Sequence, residues 1–342
     1  MRPPDGIGYR INPAFIHYGN HSWSDRFTDD LPELFGRRPR GHKETIEEWH
    51  FDFAYAAQEA LEIAAMRLVT WGAATTQHTN LCISGGVGLN VKMNTQLFDV
   101  DGIRRIFPHP LCSDSGAAAG AALAACWQLT GRRPEKLKSL DLGYEESDEQ
   151  IETTLRRCGI QYERPADIAA TVAEELANGR VCGWFQGRME AGPRALGHRS
   201  ILADPRNIES RDRVNAVIKY REPWRPFCPS MAAEAADRYL DGWDDAPFMI
   251  IAFRATDRLK NDAPAIVHVD GTVRVQLVHA DVDPLYHRLI KAFEQRTGVP
   301  VLLNTSFNVK GEPIVCTSID AIRTFHGTGM DVLALGSFLV RK

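Results

Sequence analysis

Short apolar runs alternate with stretches of helical spacing along most of this chain, and no other feature restricts the fold as much. Residues 299–303 have the length and composition of a buried strand, and they follow an amphipathic repeat over 284–295. Residues 81–83 and 105–107 are two further short runs typical of strands. Strands and helices that alternate in this way indicate a mixed α/β domain. The sequence therefore predicts an α/β fold.

The same patterns predict the individual elements. Apolar residues at three- and four-residue steps indicate one face of a long buried helix over 48–75. We expect further helices at 89–98, 117–127, 148–158, 166–177 and 284–295, strands at 81–83, 105–107, 181–185, 265–269, 273–278 and 299–303, a loop-rich stretch up to residue 230, and a final helix and strand ending at residue 340. Residues 131–146 are polar and interrupted by Pro and Gly, which marks a domain connector with a boundary near residue 139.

Length and charge exclude several classes of protein. The chain of 342 residues is about two domains long, and its 44 acidic and 40 basic side chains leave a net charge of −4. No overall positive field therefore attracts it to nucleic acid or to an anionic membrane. No apolar run approaches the roughly 18 to 20 residues of a membrane helix, and the N-terminus lacks the apolar core of a signal peptide. We expect a cytoplasmic protein that binds neither nucleic acid nor a membrane.

The cysteines and histidines give no pattern of a metal site. The seven cysteines are widely spread, odd in number and never form a CxxC pair, so they indicate reduced thiols and no disulfide framework or zinc site. His17 and His21 have the spacing of a helical metal pair, but Gly19 and Asn20 between them argue against a helix. We therefore interpret these two histidines as a loop pair without a metal.

The strongest chemical signal is a block of cations between Arg188 and Arg225. It contains eight arginines and Lys219 against five carboxylates, a local charge of +4. Glycines and prolines interrupt the block, so its side chains are expected on loops, where binding groups are commonly placed. Because a guanidinium binds phosphate or carboxylate through two hydrogen bonds, this concentration suits a ligand with several phosphates. A surface network of ion pairs is the alternative.

Two short elements add to this signal. Lys219 and Arg221 form a K-x-R element, and Ser306 and Asn308 form an S-x-N element. The second element follows the predicted strand at 299–303, together with Asn304, and α/β sheets present polar groups to ligands at the ends of their strands. A polar turn that only caps the strand is the alternative.

Two features of the first half remain ambiguous. Gly85 and Gly86 open a glycine turn between a strand and a helix, which suits either phosphate binding by backbone N–H groups or a plain tight turn. Asp114 precedes a helix rich in Ala and Gly, so it is either the N-cap of that helix or a carboxylate beside a metal or phosphate.

Five longer motifs occur in one order along the chain. They are GGVGLNVKMN at 85–94, PLCSDSGAAAGAAL at 110–123, GWFQGRMEAGPRALGHRSILADPRN at 183–207, IKYREPWRPFCPS at 218–230 and LNTSFNVKGEPIV at 303–315. Together they resemble the ATP-dependent carbamoyltransferases that modify antibiotics and nodulation factors. The resemblance extends over nearly the whole chain, and the long arginine-containing motif is highly specific.

The resemblance implies two domains. Residues 1–139 are expected to form the second lobe of an actin-like domain of the sugar-kinase ATPase fold, and residues 140–342 a YrdC-like α/β domain with a twisted open sheet. The family's first lobe, which carries metal-binding histidines, has no counterpart here, so the chain is expected to begin in mid-domain. Asp114 matches the one metal-binding carboxylate of the second lobe. It would share Fe²⁺ or Zn²⁺ with a partner lobe.

The resemblance also implies a reaction in two steps. The YrdC-like domain releases carbamate from carbamoyl phosphate and joins it to ATP, with Mg²⁺, and the actin-like domain passes the carbamoyl group to a hydroxyl or amine acceptor. The residues implied for nucleotide binding are Gly85, Gly86, Lys219, Arg221, Asn304, Ser306 and Asn308, and those implied for catalysis at the carbamoyl phosphate and adenylate site are Arg188, Arg194, His198, Arg199, Lys219, Arg221 and Arg225. His198 would be either a proton shuttle or a hydrogen-bonded structural histidine.

Three functions remain open on this basis. The leading hypothesis is a carbamoyltransferase, or the adenylate-forming subunit of one, in natural-product biosynthesis. It would act with a separate subunit that supplies the first lobe, or as a homodimer. The second is a non-catalytic scaffold that stabilises a partner carbamoyltransferase. The third is an RNA-modifying protein related to tRNA threonylcarbamoyl chemistry, against which the net charge of −4 argues.

Overall fold

Helices and strands alternate along the structure, a computed structural model that describes residues 9–17, 27–41, 44–133, 135–222 and 224–342. The α-helices are α1 (Asp30–Phe35), α2 (Glu48–Thr76), α3 (Val91–Phe98), α4 (Ala117–Thr130), α5 (Asp148–Arg157), α6 (Ile168–Ala177), α7 (Ile208–Val214), α8 (Ala236–Tyr239), α9 (Asp257–Asp262), α10 (Pro284–Thr297) and α11 (Ser318–His326). The strands are β1 (Asn80–Ile83), β2 (Arg105–Pro108), β3 (Cys182–Phe185), β4 (Arg199–Ala203), β5 (Cys228–Ala232), β6 (Leu240–Asp241), β7 (Phe253–Ala255), β8 (Thr272–Val273), β9 (Gln276–Val278), β10 (Val301–Ser306), β11 (Val332–Leu335) and β12 (Phe338–Arg341). The predicted α/β class is confirmed.

The chain divides into two compact units. The first comprises Met1–Leu81 and Gln96–Ile106, and the second comprises Cys82–Thr95 and Phe107–Lys342. The polar connector at 131–146 lies within the second unit. The domain boundary near residue 139 and the two domain ranges, 1–139 and 140–342, stay predictions.

Helix α2 dominates the first unit. It extends over 29 residues, close to the range that the spacing predicts, but it has no buried residue. Its first turns contact α1, where the rings of Phe35 and Phe53 meet edge to face at 4.9 Å and the Arg37 guanidinium lies 4.6 Å from the Trp49 ring. The prediction of a buried helix is therefore wrong, because the described part of this unit offers α2 only the six residues of α1 as a helical neighbour of any length.

The second unit begins with the glycine turn and two helices. A 3-10 turn at Gly86–Leu89 precedes α3, so the helix predicted from residue 89 begins two residues later. Helix α4 is apolar around most of its circumference but has no buried residue. It ends at Gly131, whose φ of +67° is the left-handed conformation in which glycine commonly terminates helices.

A mixed seven-stranded sheet forms the centre of the second unit. Its strand order is β12-β11-β3-β4-β10-β5-β9, with parallel pairs β11–β3 and β5–β9 and antiparallel pairs elsewhere. Helix α10 contacts both β5 and β10 and packs along α6, and its buried face contains Leu289, Ile290 and Phe293. A separate antiparallel sheet has the order β6-β7-β8. Each of β3, β4, β5 and β11 is buried along its whole length.

Three predictions for this unit need correction. Residues 265–269 are not a strand, because Pro264 begins a 3-10 turn at Pro264–Ile266. The expected strand at 273–278 is divided between β8, which pairs with β7, and β9, which pairs with β5. The stretch up to residue 230 is rich in loops, as expected, although it also contains β4 at the sheet centre, α7 and a π-helical turn at Asn215–Lys219. The chain ends in two strands, β11 and β12, instead of one.

Within the described ranges, no helix combines the length and apolarity needed to cross a membrane.

Candidate anion-binding site

The K-x-R and S-x-N elements meet at the end of β10. Lys219 is the last residue of the π-helical turn, and its side chain is buried against Ser306 and Asn308. Its Nζ lies 2.7 Å from Asn308 Oδ1, 3.1 Å from Ser306 Oγ and 3.0 Å from the main-chain oxygen of Asn308. It also donates to the main-chain oxygen of Ser306. We call Lys219, Ser306 and Asn308 the lysine clamp.

The lysine clamp is uncharged apart from the amine. The Ser306 hydroxyl donates to Asn308 Oδ1 at 2.7 Å, and Asn308 Nδ2 donates to the main-chain oxygen of Glu312 at 2.7 Å. Burial, and then the charge of Arg221, lower the pKa of Lys219 to about 7. The surrounding oxygens act in the opposite direction, because each favours the ammonium form. A bound phosphate would act in the same sense as these oxygens and hold the amine charged.

Tyr220 redirects the chain between Lys219 and Arg221. It ends the π-helical turn with a φ of +47°, an uncommon conformation for a residue with a side chain. Isolated π-helical turns and left-handed residues occur often at functional sites. Beyond Tyr220, Arg221 Nε donates to Asn215 Oδ1 at 2.6 Å, and the guanidinium lies 4.2 Å from the Phe227 ring.

Three arginines lie around the buried thiol of Cys228, and we call Arg194, Arg221 and Arg274 the arginine cluster. Arg274 Nε lies 2.8 Å from Cys228 Sγ, and the charges of Arg194 and Arg221 both act on the same thiol. Burial lowers the pKa of Arg194 to about 10, as it does for Arg221, and the Arg274 charge contributes to both. These shifts show that the guanidinium groups are partly desolvated and repel one another.

No carboxylate forms an ion pair with Lys219 or with any member of the arginine cluster in the part of the chain that the structure describes. Arg225 is close to Arg221 and only 3.9 Å from Glu222. Buried charges are normally paired or bind a ligand. The arrangement therefore has the electrostatics of an anion-binding site for several phosphate or carboxylate groups.

Other arginines of the block have partners of their own. Arg206, Arg211 and Arg213 lie 2.7, 2.9 and 2.8 Å from Asp204, Asp212 and Asp331, so the ion-pair alternative describes this part of the block. Arg188 donates to the main-chain oxygens of Gly143 and Leu142. Arg199 is buried, donates to four main-chain oxygens and lies 3.6 Å from the Phe185 ring. The structure does not bring Arg188 or Arg199 into the arginine cluster.

His198 lies between two carboxylates. Its Nε2 is 3.2 Å from Asp141 Oδ1 and 3.3 Å from Asp283 Oδ2, and its Nδ1 is 3.2 Å from the main-chain oxygen of Gln186. Burial lowers the pKa of His198, but the hydrogen bond and charge of Asp283, with the charges of Asp141 and Glu190, outweigh burial and raise it to about 9. An imidazolium held on both nitrogens favours the structural alternative over a proton shuttle.

Asn304 lies inside the sheet and not in the lysine clamp. Its Nδ2 donates to the main-chain oxygen of Ala195 at 3.2 Å and to Ser230 Oγ at 2.9 Å. Sequence reasoning missed Arg274 and Glu190. Arg274 is a single cation in the apolar stretch between β8 and β9, and Glu190 is a carboxylate within the first arginines of the block. Each carries the only charge of its sign among its neighbours in the sequence, and this isolated charge is the signal that could have identified it.

The predicted sites of the first half have few ligand-like contacts. Gly85 has a φ of +82°, which the turn requires, and the space beside Gly86 is open. Asp114 is not the N-cap of α4, because that position is Gly116; the Ser113 hydroxyl accepts the N–H of Ser115 and caps the 3-10 turn Asp114–Gly116 that leads into α4. Asp114 is exposed. Whether the two glycines bind nucleotide and Asp114 a metal stays a prediction.

Metal binding has no further support in the described residues. Among them, no group of three or more His, Cys, Asp or Glu side chains could hold a metal ion. All seven cysteines are free thiols, as the sequence predicts. His21 of the proposed loop pair lies outside the described residues, so that prediction has no structural counterpart.

Comparisons with known proteins give a family for this constellation. The carbamoyltransferase C-terminus model matches residues 173–342, and the carbamoyltransferase N-terminus model matches residues 3–123. The nodulation protein NolO of Bradyrhizobium diazoefficiens is 44% identical over 86% of this chain and 55% of its own length. NolNO of Sinorhizobium fredii is 42% identical over 99% of this chain and 49% of its own length.

A relative with a named reaction shows the same relationship. The 3'-hydroxymethylcephem-O-carbamoyltransferase of Streptomyces clavuligerus is 37% identical over 77% of this chain and 49% of its own length. The chain thus spans only about half the length of the curated relatives that it matches. Its two family-model matches lie in the family's order and contain all five motifs of the sequence. This chain belongs to the carbamoyltransferase family.

Proposed function

We propose that this protein is an ATP-dependent carbamoyltransferase of natural-product biosynthesis, or the adenylate-forming subunit of one. The observation that carries the proposal is the convergence of Lys219, Arg194, Arg221 and Arg274 without a carboxylate partner in the described residues. Carbamoyl phosphate and ATP are both multiply charged, so their encounter needs such a set of cations. In this proposal residues 140–342 form the YrdC-like domain that makes carbamoyl-adenylate.

The first step joins carbamate to AMP. Water first cleaves carbamoyl phosphate to carbamate and inorganic phosphate, and a carbamate oxygen then attacks the α-phosphorus of ATP. The bond from this phosphorus to the bridging oxygen then breaks, and pyrophosphate leaves with the electron pair. The lysine clamp would hold the phosphates of the leaving group, and the arginine cluster would hold carbamoyl phosphate and the α-phosphate. Donors that are already oriented toward developing charge lower the barrier most. Mg²⁺ carried by the ATP phosphates would neutralise part of the same charge.

The second step transfers the carbamoyl group to a hydroxyl or amine acceptor. In our proposal residues 1–139 are the second lobe of an actin-like domain, and the first lobe is supplied by a further polypeptide. Helix α4 supports this idea, since Leu123, Trp127 and Leu129 are all exposed on a helix without a buried residue. Asp114 alone does not make a metal site in the described residues. We therefore derive no step through Fe²⁺ or Zn²⁺.

Exchange of labelled pyrophosphate into ATP tests the first step. We expect the chain alone to catalyse exchange that depends on carbamoyl phosphate, with acetyl phosphate as the control substrate. Because each residue assigned to adenylate formation except the two glycines lies between 188 and 308, the reaction should need no partner. Binding of ATP without any exchange would contradict the proposal and support the non-catalytic scaffold instead.

A further inference from the structure

The segment of residues 194–199 joins Arg194 to β4, and buried groups hold nearly all of its main chain. Six of the hydrogen bonds to its main chain come from three side chains of the sheet and one carboxylate. Two of its six residues are the small residues Ala195 and Gly197, and a loop of this composition would otherwise be free to move.

Glu190 organises the N–H groups of this segment. Its Oε1 accepts hydrogen bonds from the main-chain nitrogens of Leu196, His198 and Arg199 at 2.7, 3.0 and 3.1 Å. The Glu190 side chain is buried, and its Oε2 has no hydrogen-bond partner among the described residues. One carboxylate oxygen thus accepts hydrogen bonds from three main-chain N–H groups, as a bound anion would.

Side chains of the sheet fix the carbonyl groups. Asn304 Nδ2 donates to the Ala195 oxygen at 3.2 Å, Gln276 Nε2 to the Leu196 oxygen at 2.7 Å, and Trp184 Nε1 to the Gly197 oxygen at 2.8 Å. A Cβ at Gly197 would lie 2.3 Å from the Tyr286 ring, so the segment packs too closely for any side chain there. The donors come from β10, β9 and β3 and converge on three consecutive residues.

This construction leaves polar atoms unsatisfied. Glu190 Oε2 and Arg194 Nε are both buried without a hydrogen-bond partner in the described residues. An unpaired buried polar atom is unfavourable by about 1 to 3 kcal/mol, and more when it is charged. A segment built only for stability would avoid this cost, whereas a segment that presents a guanidinium to an anion would tolerate it.

We propose that Glu190 is a positioning residue that acts through Arg194. By binding three N–H groups of the segment, it holds the Arg194 guanidinium oriented toward the site of carbamoyl phosphate before the substrate arrives. Asn304 and Gln276 share this role by binding the carbonyls, which gives Asn304 a task other than nucleotide contact. The inference rests on the proposed function, because it assigns carbamoyl phosphate to the arginine cluster.

A double-mutant cycle tests the proposal in the complete chain. Glu190→Ala should lower kcat/KM for carbamoyl phosphate in pyrophosphate exchange by about 10- to 100-fold, the range for a misplaced binding group. Arg194→Ala should lower it by about 100-fold. If Glu190 acts through Arg194, then adding Glu190→Ala to Arg194→Ala should cost less than about threefold more. Multiplicative losses would overturn the proposal.

Conservative variants separate hydrogen-bond geometry from charge. Glu190→Gln keeps an oxygen that can accept the three N–H groups, so it should restore most of the activity lost in the alanine variant. Glu190→Asp keeps the charge but is one CH₂ shorter, so it should lose about tenfold. The reverse order would overturn the proposal. These two variants also decide the question if Glu190→Ala does not fold.

A matched control removes a similar carboxylate outside the arginine cluster. Asp331 accepts the N–H of Val181 at 2.8 Å and pairs with Arg213 at 2.8 Å. Asp331→Ala should therefore destabilise the fold but change KM for carbamoyl phosphate by less than about twofold. If it raises this KM as much as Glu190→Ala does, the effect is general destabilisation and the proposal is wrong.

Pyrophosphate binding, measured by calorimetry, distinguishes this proposal from the proposed function. If the parent chain binds pyrophosphate but shows no exchange, the proposed function fails, and the same cycle is then evaluated on pyrophosphate affinity. Loss of affinity in Glu190→Ala that disappears in the Arg194→Ala background would still support the positioning role. No binding and no exchange by the parent chain would overturn both.

Discussion

Helices α4 and α10 each contain 14 residues, but they use them in opposite ways. Helix α10 has one apolar face and one charged face, and it buries five residues against the sheet and α6. Helix α4 contains almost only small and apolar residues and buries none of them. A helix of a globular domain normally buries its apolar surface, so α10 shows the expected behaviour and α4 does not.

The difference indicates how far each region buries its own apolar surface. The region around α10 contains the sheet, the lysine clamp and the arginine cluster, and its apolar residues are buried. The region around α4 leaves Trp127 and Leu129 with 57% and 85% of their surface exposed. Exposed apolar surface is unfavourable by about 25 cal/mol per Å² and often marks an interface. Under the proposed function, adenylate formation is therefore expected from the chain alone, and carbamoyl transfer only with a partner.

The largest expected effect is the loss of a buried leucine in α10. Leu289 is completely buried, so Leu289→Ala should lower the free energy of unfolding by about 2 to 5 kcal/mol. Arg288→Ala is the matched control on the same helix, because its side chain is 58% exposed and it should change stability by less than about 1 kcal/mol. Urea unfolding followed by circular dichroism gives both values. Equal effects would show that α10 does not anchor its region.

The second largest effect concerns the lysine clamp. Lys219→Ala should remove about 2 to 4 kcal/mol of transition-state stabilisation, measured as kcat/KM in pyrophosphate exchange. The same range is expected for Arg221→Ala. Lys260→Ala is the control, since this lysine pairs with Asp257 in α9 and has no contact with the lysine clamp among its hydrogen bonds. A rate within about twofold of the parent chain in either test variant would remove that residue from the site.

Sequence patterns predicted the elements that local spacing and caps determine. Helices α5, α6 and α10 follow the expected ranges closely, and each begins at a residue whose side chain caps it, namely Ser147, Asp167 and Asp283. Strand β4 and the π-helical turn were missed because their conformation depends on distant partners. For β4 these partners are β3 and β10, and for the turn they are the oxygens that surround Lys219.

The candidate site could likewise be predicted only where it consists of local motifs. The two short elements could be found because each is a local motif, although 87 residues separate Lys219 from Ser306. The sequence could not show that Arg199 turns toward main-chain oxygens while Arg194 has no carboxylate partner among the described residues, because both are simply arginines in one motif. Burial and the direction of a side chain, which decide between binding and structural roles, appear only in the folded chain.

The third effect tests the charge of His198 by changing pH. Its pKa in the folded chain is about 9, above the ordinary value near 6.5, so the protonated form stabilises the fold. This contribution is fully present below about pH 6.5, declines as the pH rises through 9, and amounts to at most about 3 kcal/mol.

The difference in unfolding free energy between the parent chain and His198→Gln isolates this contribution from other titrating groups. It should be largest at pH 6 and small at pH 10. Direct observation of the imidazole by NMR provides an independent pKa. A difference that does not change with pH, or an imidazole that titrates near 6.5, would contradict the assignment of His198 as a buried imidazolium.

The smallest effect on the free energy of unfolding is expected for substitutions in α4. Leu123 is 45% exposed and Leu129 is 85% exposed, so Leu123→Ala and Leu129→Ala should each change the free energy of unfolding by less than about 0.5 kcal/mol in the chain alone. The same substitutions should weaken association with a polypeptide that supplies the first lobe, because there the leucines would be covered. Sedimentation at several concentrations shows whether the chain pairs with itself. If Leu123→Ala destabilises the chain alone as much as Leu289→Ala does, then α4 is already covered in solution, and self-pairing explains its apolar surface better than contact with a first lobe.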